Sequence, residues 1–176
     1  MSGKQGKWLL AVSAAAMAAM AFAGPEQDAE LAEKAYGAGD VPGAMELFRK
    51  AAAQNNAGAQ VRLAELLDAG DEDEEAVRWL RKAAEQGSAA GELGLGLMYL
   101  KGEGIGRDSE KAIYWFRRAA ERNYLPAVEF LARGYRMGGF GAGVDIEQAQ
   151  FWEARVGALK GSTAAEKTKT KQGEAK

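Results

Sequence analysis

The chain has 176 residues, with 23 basic and 25 acidic side chains and a formal net charge of −2. A mildly acidic chain of this length makes one domain of ordinary size and argues against nucleic-acid binding, which requires a basic face. It contains neither histidine nor cysteine, so the most common general base, the thiol nucleophiles and the thiolate zinc sites are all excluded.

The N-terminal segment has the three parts of a secretory signal peptide. Residues 1–7 carry two lysines and no acid, and residues 8–22 form an uncharged, alanine-rich run. Ala21 and Ala23 are the small residues of an A-x-A cleavage site. The alternative, a retained membrane helix, needs about 20 apolar residues, which is more than this run has. We predict a signal peptide over residues 1–23, cleavage after Ala23, and an exported, periplasmic protein without stable membrane insertion.

Two sequence threads then alternate four times along the chain. The first is a leucine followed by a small residue, and it recurs at spacings of 32, 32 and 36 residues: Leu31-Ala32, Leu63-Ala64, Leu95-Gly96 and Leu131-Ala132. The second is an alanine with a large apolar residue three positions later, and it recurs at spacings of 32, 36 and 37: Ala44-Leu47, Ala76-Trp79, Ala112-Trp115 and Ala149-Trp152. The leucine of the first thread and the alanine of the second are called the reference leucine and the reference alanine of each unit. Their fixed alternation over four copies indicates a repeat protein.

Both threads are interpreted as helices, and in the third unit Ala112, Trp115, Phe116, Ala119 and Ala120 have the i, i+3, i+4, i+7, i+8 spacing of an amphipathic helix. An aspartate precedes the reference alanine by four residues in three units, where it would cap the second helix: Asp40, Asp108 and Asp145. Glycines follow the first helix in units two to four, where a left-handed residue would end it: Gly70, Gly102 and Gly138. Each unit is therefore predicted to be helix A, a turn and a capped helix B.

The small residue of the first thread predicts a close approach between helix A and helix B. We expect a tryptophan of helix B to lie over each small residue, so that Trp79, Trp115 and Trp152 form a ladder. Truncating a buried tryptophan would then cost about 3–5 kcal/mol, and enlarging the small residue would cost about 1–3 kcal/mol.

These residues also resemble a known family. The stretch from Leu95 to Ala120, which includes Tyr99, Gly102 and Trp115, looks like the Sel1-like repeat, a relative of the tetratricopeptide repeat. The first unit is degenerate, with Ala35 where the family has tyrosine. The resemblance implies an all-α, short right-handed α-solenoid of about four helix–turn–helix repeats that assembles protein complexes. We place the domain at residues 24–160, with units over residues 27–56, 57–88, 89–124 and 125–160.

The chemistry-bearing residues give little support to an enzyme. No nucleophile elbow surrounds Ser88, Ser109 or Ser162, and the glycines of residues 102–106 follow a helix and lack the Gly-Lys-Ser/Thr of a phosphate loop. The acids of residues 71–75 are interpreted as the first turn of a helix, where the helix dipole favours them. A calcium site there is the alternative. We predict no enzyme activity, no cofactor and no metal.

The lysine-rich segment of residues 161–176 has few apolar side chains, and we predict that the last helix stops near Lys160 and that this tail is disordered.

The function that remains is binding of a protein partner, on the concave face that A helices line in this family. Outward positions on those helices give the candidate contact residues Arg62, Glu65, Asp68, Lys101, Arg133 and Arg136. Their charge changes from acidic to basic along the stack, which would orient a partner. We predict a periplasmic adaptor or scaffold. The alternatives are an inhibitor or immunity-type protein that masks an enzyme or toxin and, less favoured, a carboxylate-based cell-wall hydrolase.

Overall fold

Seven helices of 12–13 residues and a last helix of 28 residues make up the described part of the fold. The structure is a computed structural model that describes residues 24–141 and 143–173, with residues 163–173 described by their backbone alone. The predicted signal peptide therefore lies outside the described residues. Within them all regular structure is helical, in this order: α1 (Pro25–Gly37), α2 (Val41–Ala53), α3 (Ala57–Asp68), α4 (Asp73–Glu85), α5 (Ala89–Lys101), α6 (Ser109–Glu121), α7 (Leu125–Met137) and α8 (Ile146–Gly173).

The helices pair into four units, each with one A helix (α1, α3, α5 and α7) and one B helix (α2, α4, α6 and α8). Every helix packs against the next one along the chain, and α3 also contacts α5. The reference alanines of all four B helices are fully buried, which brings neighbouring helices close together: Ala44, Ala76, Ala112 and Ala149. This arrangement is the all-α solenoid that the sequence predicts.

The predicted helix caps are confirmed. The side chains of Asp40, Asp108 and Asp145 each accept a hydrogen bond from the backbone N–H three residues later, at 2.9–3.0 Å. These bonds satisfy donors that a helix start leaves free. In the second unit Glu72 occupies the equivalent place without a side-chain cap, and the acidic residues Asp73, Glu74 and Glu75 form the first turn of α4, as predicted.

The capping bond of Asp108 makes a pH-dependent prediction. A hydrogen bond from the Lys111 side chain, together with the Lys111 N–H, holds the pKa of Asp108 below its usual range. The folded state therefore favours the ionised carboxylate, so its stabilisation is complete above the unfolded pKa of about 3.9 and is lost as the pH falls below it. We expect the Tm advantage of the wild type over Asp108→Asn to shrink below about pH 4 in thermal melts. An advantage that is constant with pH would contradict this.

The left-handed turn residues agree with the prediction at two of three positions. Gly102 and Gly138 have φ values of 86° and 69° and end α5 and α7. The prediction for Gly70 is wrong, because the left-handed residue of that turn is Asp71, with a φ of 61°. The shorter connection of the second unit moves the reversal one residue along the chain, and aspartate tolerates this conformation better than most residues do.

The close approach between A and B helices is present, but the predicted tryptophan ladder over it is wrong in detail. A Cβ atom on Gly96 would lie 2.5 Å from Cε1 of Phe116, four residues after the reference alanine, and not against Trp115. Phe48, Leu80 and Phe116 hold this position in the first three units and are buried, whereas Trp79 and Trp115 are only half-buried. Only the fourth unit buries its tryptophan, Trp152.

Adding a methyl group at Gly96 should therefore destabilise the protein. Gly96→Ala is expected to lower the free energy of unfolding by about 1–3 kcal/mol, because the Phe116 ring must move within a filled core. Gly157→Ala in α8 is the matched control, since its Cβ would meet no atom within 4 Å. That control should gain about 0.5–1 kcal/mol from the stiffer unfolded chain. Urea unfolding measures both, and equal changes would contradict the packing described here.

The last helix continues beyond its predicted end. α8 runs to Gly173 and does not stop near Lys160, so the prediction of an irregular tail is wrong for residues 161–173. A single glycine weakens a helix by only about 1 kcal/mol, and the alanines, glutamate and lysines after Thr163 are good helix formers. The low apolar content of this segment indicates poor packing against the rest of the protein and therefore predicts disorder. Helix propensity is a local property, however, and makes the segment helical without such packing.

Candidate binding groove on the A helices

Two neighbouring clefts form a groove along the first three A helices. The acidic cleft, of about 550 Å³, lies between α1 and α3. Beside uncharged side chains that include Phe48, Val61 and Tyr124, it is lined by four carboxylates and one arginine: Glu26, Glu30, Glu33, Glu65 and Arg62. The apolar cleft, of about 160 Å³, lies between α3 and α5. Its aliphatic lining and charged rim are Val61, Leu93, Leu97, Met98, Glu65, Asp68 and Lys101.

Arg62 is the central cation of the acidic cleft. Its Nε donates to Glu33 Oε1 at 2.7 Å and its Nη1 to Glu65 Oε2 at 2.5 Å. The guanidinium also lies 5.2 Å from the centre of the Tyr36 ring, within cation–π range. The hydrogen bond with Glu33 raises the pKa of Arg62 above its usual range. This arginine therefore ties α1 to α3 and is neutralised by the two carboxylates.

Lys101 is the corresponding cation at the rim of the apolar cleft, where two carboxylates neutralise it. Its Nζ lies 2.7 Å from Glu103 Oε2 and 3.7 Å from Asp68 Oδ2. The hydrogen bond with Glu103 raises the pKa of Lys101, and the charge of Asp68 adds to the effect. The cleft is thus bordered by a neutralised cation on one side, while Leu93 and Leu97 remain partly exposed to solvent in its lining.

The structure brings together four of the six predicted contact residues. Arg62, Glu65, Asp68 and Lys101 line the two clefts. Arg133 and Arg136 lie on α7, outside both clefts, and they differ from each other. Arg136 donates to Glu153 of α8 from Nε and Nη2, at 2.5 and 2.6 Å. Arg133 is exposed and has no ion-pair partner within the described part of the chain.

Helical phase alone missed the acids of α1 and the apolar lining of α5. Comparing equivalent positions of the four units would have identified them. The residue two positions after the reference leucine changes along the stack from acidic through apolar to basic: Glu33, Glu65, Leu97 and Arg133.

A second repeated feature inside the units also escaped the sequence reasoning. The residue three positions before the leucine is polar and buried in the first three units: Asp28, Gln60 and Glu92. Each is bound by the end of its own B helix: Asp28 by Lys50 and Gln54, Gln60 by Gln86, and Glu92 by Arg118 and Arg122. The spacing of 32 residues between these polar positions is the signal that would have found them. They fix helix A on helix B and belong to the scaffold.

The acids of residues 71–75 line an open depression at the start of α4. Glu75 is already engaged, because its Oε1 accepts from Trp79 Nε1 at 3.0 Å and lies 3.6 Å from Arg49. Over residues 24–141 and 143–173, no group of three or more carboxylates is arranged to hold a metal ion. The same residues include no helix with the length and apolar character that crossing a membrane requires.

Comparison with known proteins decides the family. The Sel1 repeat model matches residues 11–56, 57–88, 89–124 and 126–152, which is most of the chain. The chain belongs to the Sel1 repeat family. Sel1 repeat proteins are generally non-catalytic scaffolds for protein–protein interaction. This membership confirms the resemblance that the stretch from Leu95 to Ala120 indicates.

Two solved Sel1 repeat structures are similar to this chain. A Sel1 repeat protein from Oxalobacter formigenes has a TM-score of 0.65 and 28% identity over 75% of this chain and 57% of its own. A protective antigen of uropathogenic Escherichia coli strains, which displays an SLR fold, has a TM-score of 0.65 and 27% identity over 78% of this chain and 34% of its own. The chain thus spans only part of each relative. No curated protein sequence matches it.

Proposed function

We propose that the chain is a non-catalytic adaptor that acts after export, in the periplasm, and binds a protein partner along the A helices. The observation that carries this proposal is the groove, in which two adjoining clefts combine a charged rim with a partly exposed aliphatic lining. Such a combination is typical of protein-binding surfaces, where an apolar centre supplies affinity and a polar rim supplies specificity. The general scaffold role of Sel1 repeats supports the same function.

The proposed contact residues are four that face this groove and two that lie on α7, outside both clefts. Arg62, Glu65, Asp68 and Lys101 would form the rim, and Arg133 and Arg136 would meet the far end of the partner. The order of acidic, apolar and basic positions along the stack would fix the partner's orientation more than its affinity. Among these residues Arg133 is the one that forms no ion pair within residues 24–141 and 143–173.

Photo-crosslinking in cells of the source organism tests the proposal. A photoreactive amino acid at Leu97 or Arg133 should capture a protein in the periplasmic fraction. The same amino acid at Glu46 or Glu121, which are exposed on B helices, should capture none. Equal capture from both sets, or none from the groove, would refute a groove-binding adaptor. N-terminal sequencing of the recovered chain tests export, because cleavage after Ala23 leaves Gly24 first.

The charge of Arg133 provides a second test. Arg133→Glu is expected to weaken recovery of the crosslinked partner while the helical circular dichroism stays native, since Arg133 has no ion pair to lose among the residues that the structure describes. Arg136→Gln is a less clean change because it removes the bond to Glu153. Unchanged recovery with Arg133→Glu would remove α7 from the proposed surface.

Two activity measurements separate the alternatives. An inhibitor or immunity-type role requires that the captured partner be an enzyme or toxin whose activity falls when the purified chain is added. A cell-wall hydrolase requires turnover of peptidoglycan fragments by the chain alone. An adaptor shows neither result.

A further inference from the structure

We infer that the groove binds a basic peptide segment with an apolar anchor, the anchor entering the apolar cleft and the basic side chains lying along α1. This inference rests on the proposed function and names the chemistry of the partner. The partner segment leads from arginine or lysine residues to a large aliphatic side chain, as the charge, size and continuity of the two clefts require.

The groove carries an excess of negative charge. Five carboxylates line the two clefts, from Glu26, Glu30, Glu33, Glu65 and Asp68, against the two cations of Arg62 and Lys101. Both cations are already bound by carboxylates of the protein. Glu26 and Glu30 are exposed on α1 and have no ion-pair partner among the described residues. The excess negative charge is therefore concentrated at α1, where it attracts a basic segment and repels an acidic one.

The apolar cleft has the size of a single large side chain. Its volume of about 160 Å³ is well below the roughly 300–1,000 Å³ of small-molecule pockets. A cleft of this size, lined by Leu93, Leu97 and Val61, suits a large aliphatic side chain projecting from a peptide. Anchoring by one buried apolar side chain is a common way in which peptide segments gain affinity at a groove.

Continuity of the clefts sets the order of the ligand. Val61, Glu65, Ala90 and Tyr124 line both clefts, so a single segment can occupy the two at once. The apolar side chain then lies between α3 and α5, and the basic side chains lie toward α1. Arginine suits the acidic end well, because its guanidinium forms paired hydrogen bonds with carboxylates.

Fluorescence anisotropy with labelled peptides tests this inference on the purified chain. The probe has three arginines, a glycine-serine spacer and two leucines, and it is made in both sequence orders. Two further peptides replace the leucines with serine or the arginines with glutamate. At least one order of the basic, leucine-containing probe should bind, and both replacements should weaken binding about tenfold or more. Raising the salt concentration should also weaken binding, because the charged contacts are exposed.

Matched variants locate the binding on the protein. Glu26→Gln with Glu30→Gln should weaken the probe about three- to tenfold, the effect of two exposed ion pairs. Glu46→Gln with Glu121→Gln removes the same charge from B helices and should leave binding unchanged. Ala90→Phe, at the junction of the clefts, should block the anchor, with circular dichroism to verify the fold. Equal effects of the two charge pairs, binding of the glutamate peptide, or no binding by any peptide would overturn the inference.

The two proposals fail in different ways. If a groove position captures a partner through an acidic or uncharged segment, the adaptor stands and this inference is overturned. If the groove captures no protein in cells, the adaptor itself is refuted.

Discussion

Replacing Phe116 with alanine is expected to lower the free energy of unfolding by about 3–5 kcal/mol, the loss usual for a large aromatic side chain in a core. The side chain is fully buried, and its ring centre lies 4.7 Å from that of Phe130 and 6.0 Å from that of Phe140. Gly96 faces the same ring and has no side chain that could fill the space. The cavity would therefore stay open between the third and fourth units.

Trp115→Ala, one residue earlier in α6, is the matched control. Trp115 is half-buried, and its ring lies under the guanidinium of Arg118 at 5.0 Å, near solvent. We expect a loss of only about 1–2 kcal/mol, because much of its apolar surface is already exposed. Chemical denaturation of both variants, with comparison of their m-values, measures the difference. A Trp115→Ala variant as unstable as Phe116→Ala would show that tryptophan holds the unit together.

This contrast shows where sequence reasoning reaches its limit. The 3.6-residue period places both Trp115 and Phe116 on the apolar side of α6, and the repeated tryptophan is the more conspicuous of the two. Which of two adjacent positions faces Gly96 depends on the rotation of α6 against α5, which only the packed structure provides. The order of the helices and the caps at Asp40 and Asp108, in contrast, follow from local spacing and were predictable.

The candidate site was predictable in part for the same reason. Outward positions such as Glu65 and Lys101 follow from helical phase, and the structure places both at the apolar cleft. Helical phase does not predict that Arg62 is neutralised by Glu33, a residue of another unit, or that Leu97 is left partly exposed. Ion pairing between units depends on side-chain reach across a helix interface, and no spacing within one helix encodes it.

Buried polar residues are the feature of the units least expected from a hydrophobic repeat. Glu92 is fully buried, with Arg118 Nη2 at 3.1 Å and Arg122 Nε at 3.3 Å from its two carboxylate oxygens. The preceding unit solves the same problem without charge, because Gln60 accepts a hydrogen bond from Gln86 at 2.7 Å. The position therefore requires hydrogen bonding and does not require a carboxylate.

Removing both arginines is consequently expected to be far more damaging than removing the acid. Arg118→Ala with Arg122→Ala leaves a buried carboxylate without a counter-charge, which should lower the free energy of unfolding by about 3–5 kcal/mol. Glu92→Gln leaves two arginines whose side chains are 34% and 47% exposed and can turn to solvent. It should lower the free energy by about 1 kcal/mol, the effect of weakened hydrogen bonds.

A variant that combines the arginine and glutamate substitutions tests whether the unpaired charge of Glu92 causes the larger loss. Adding Glu92→Gln to the Arg118→Ala, Arg122→Ala background should recover part of the lost stability, because it removes the uncompensated charge but leaves a buried amide without the two arginine partners. Urea unfolding of all the variants gives the coupling free energy directly. If the losses simply add, Arg118 stabilises the third unit by packing on Tyr114 and Trp115, and the ion pair with Glu92 contributes little.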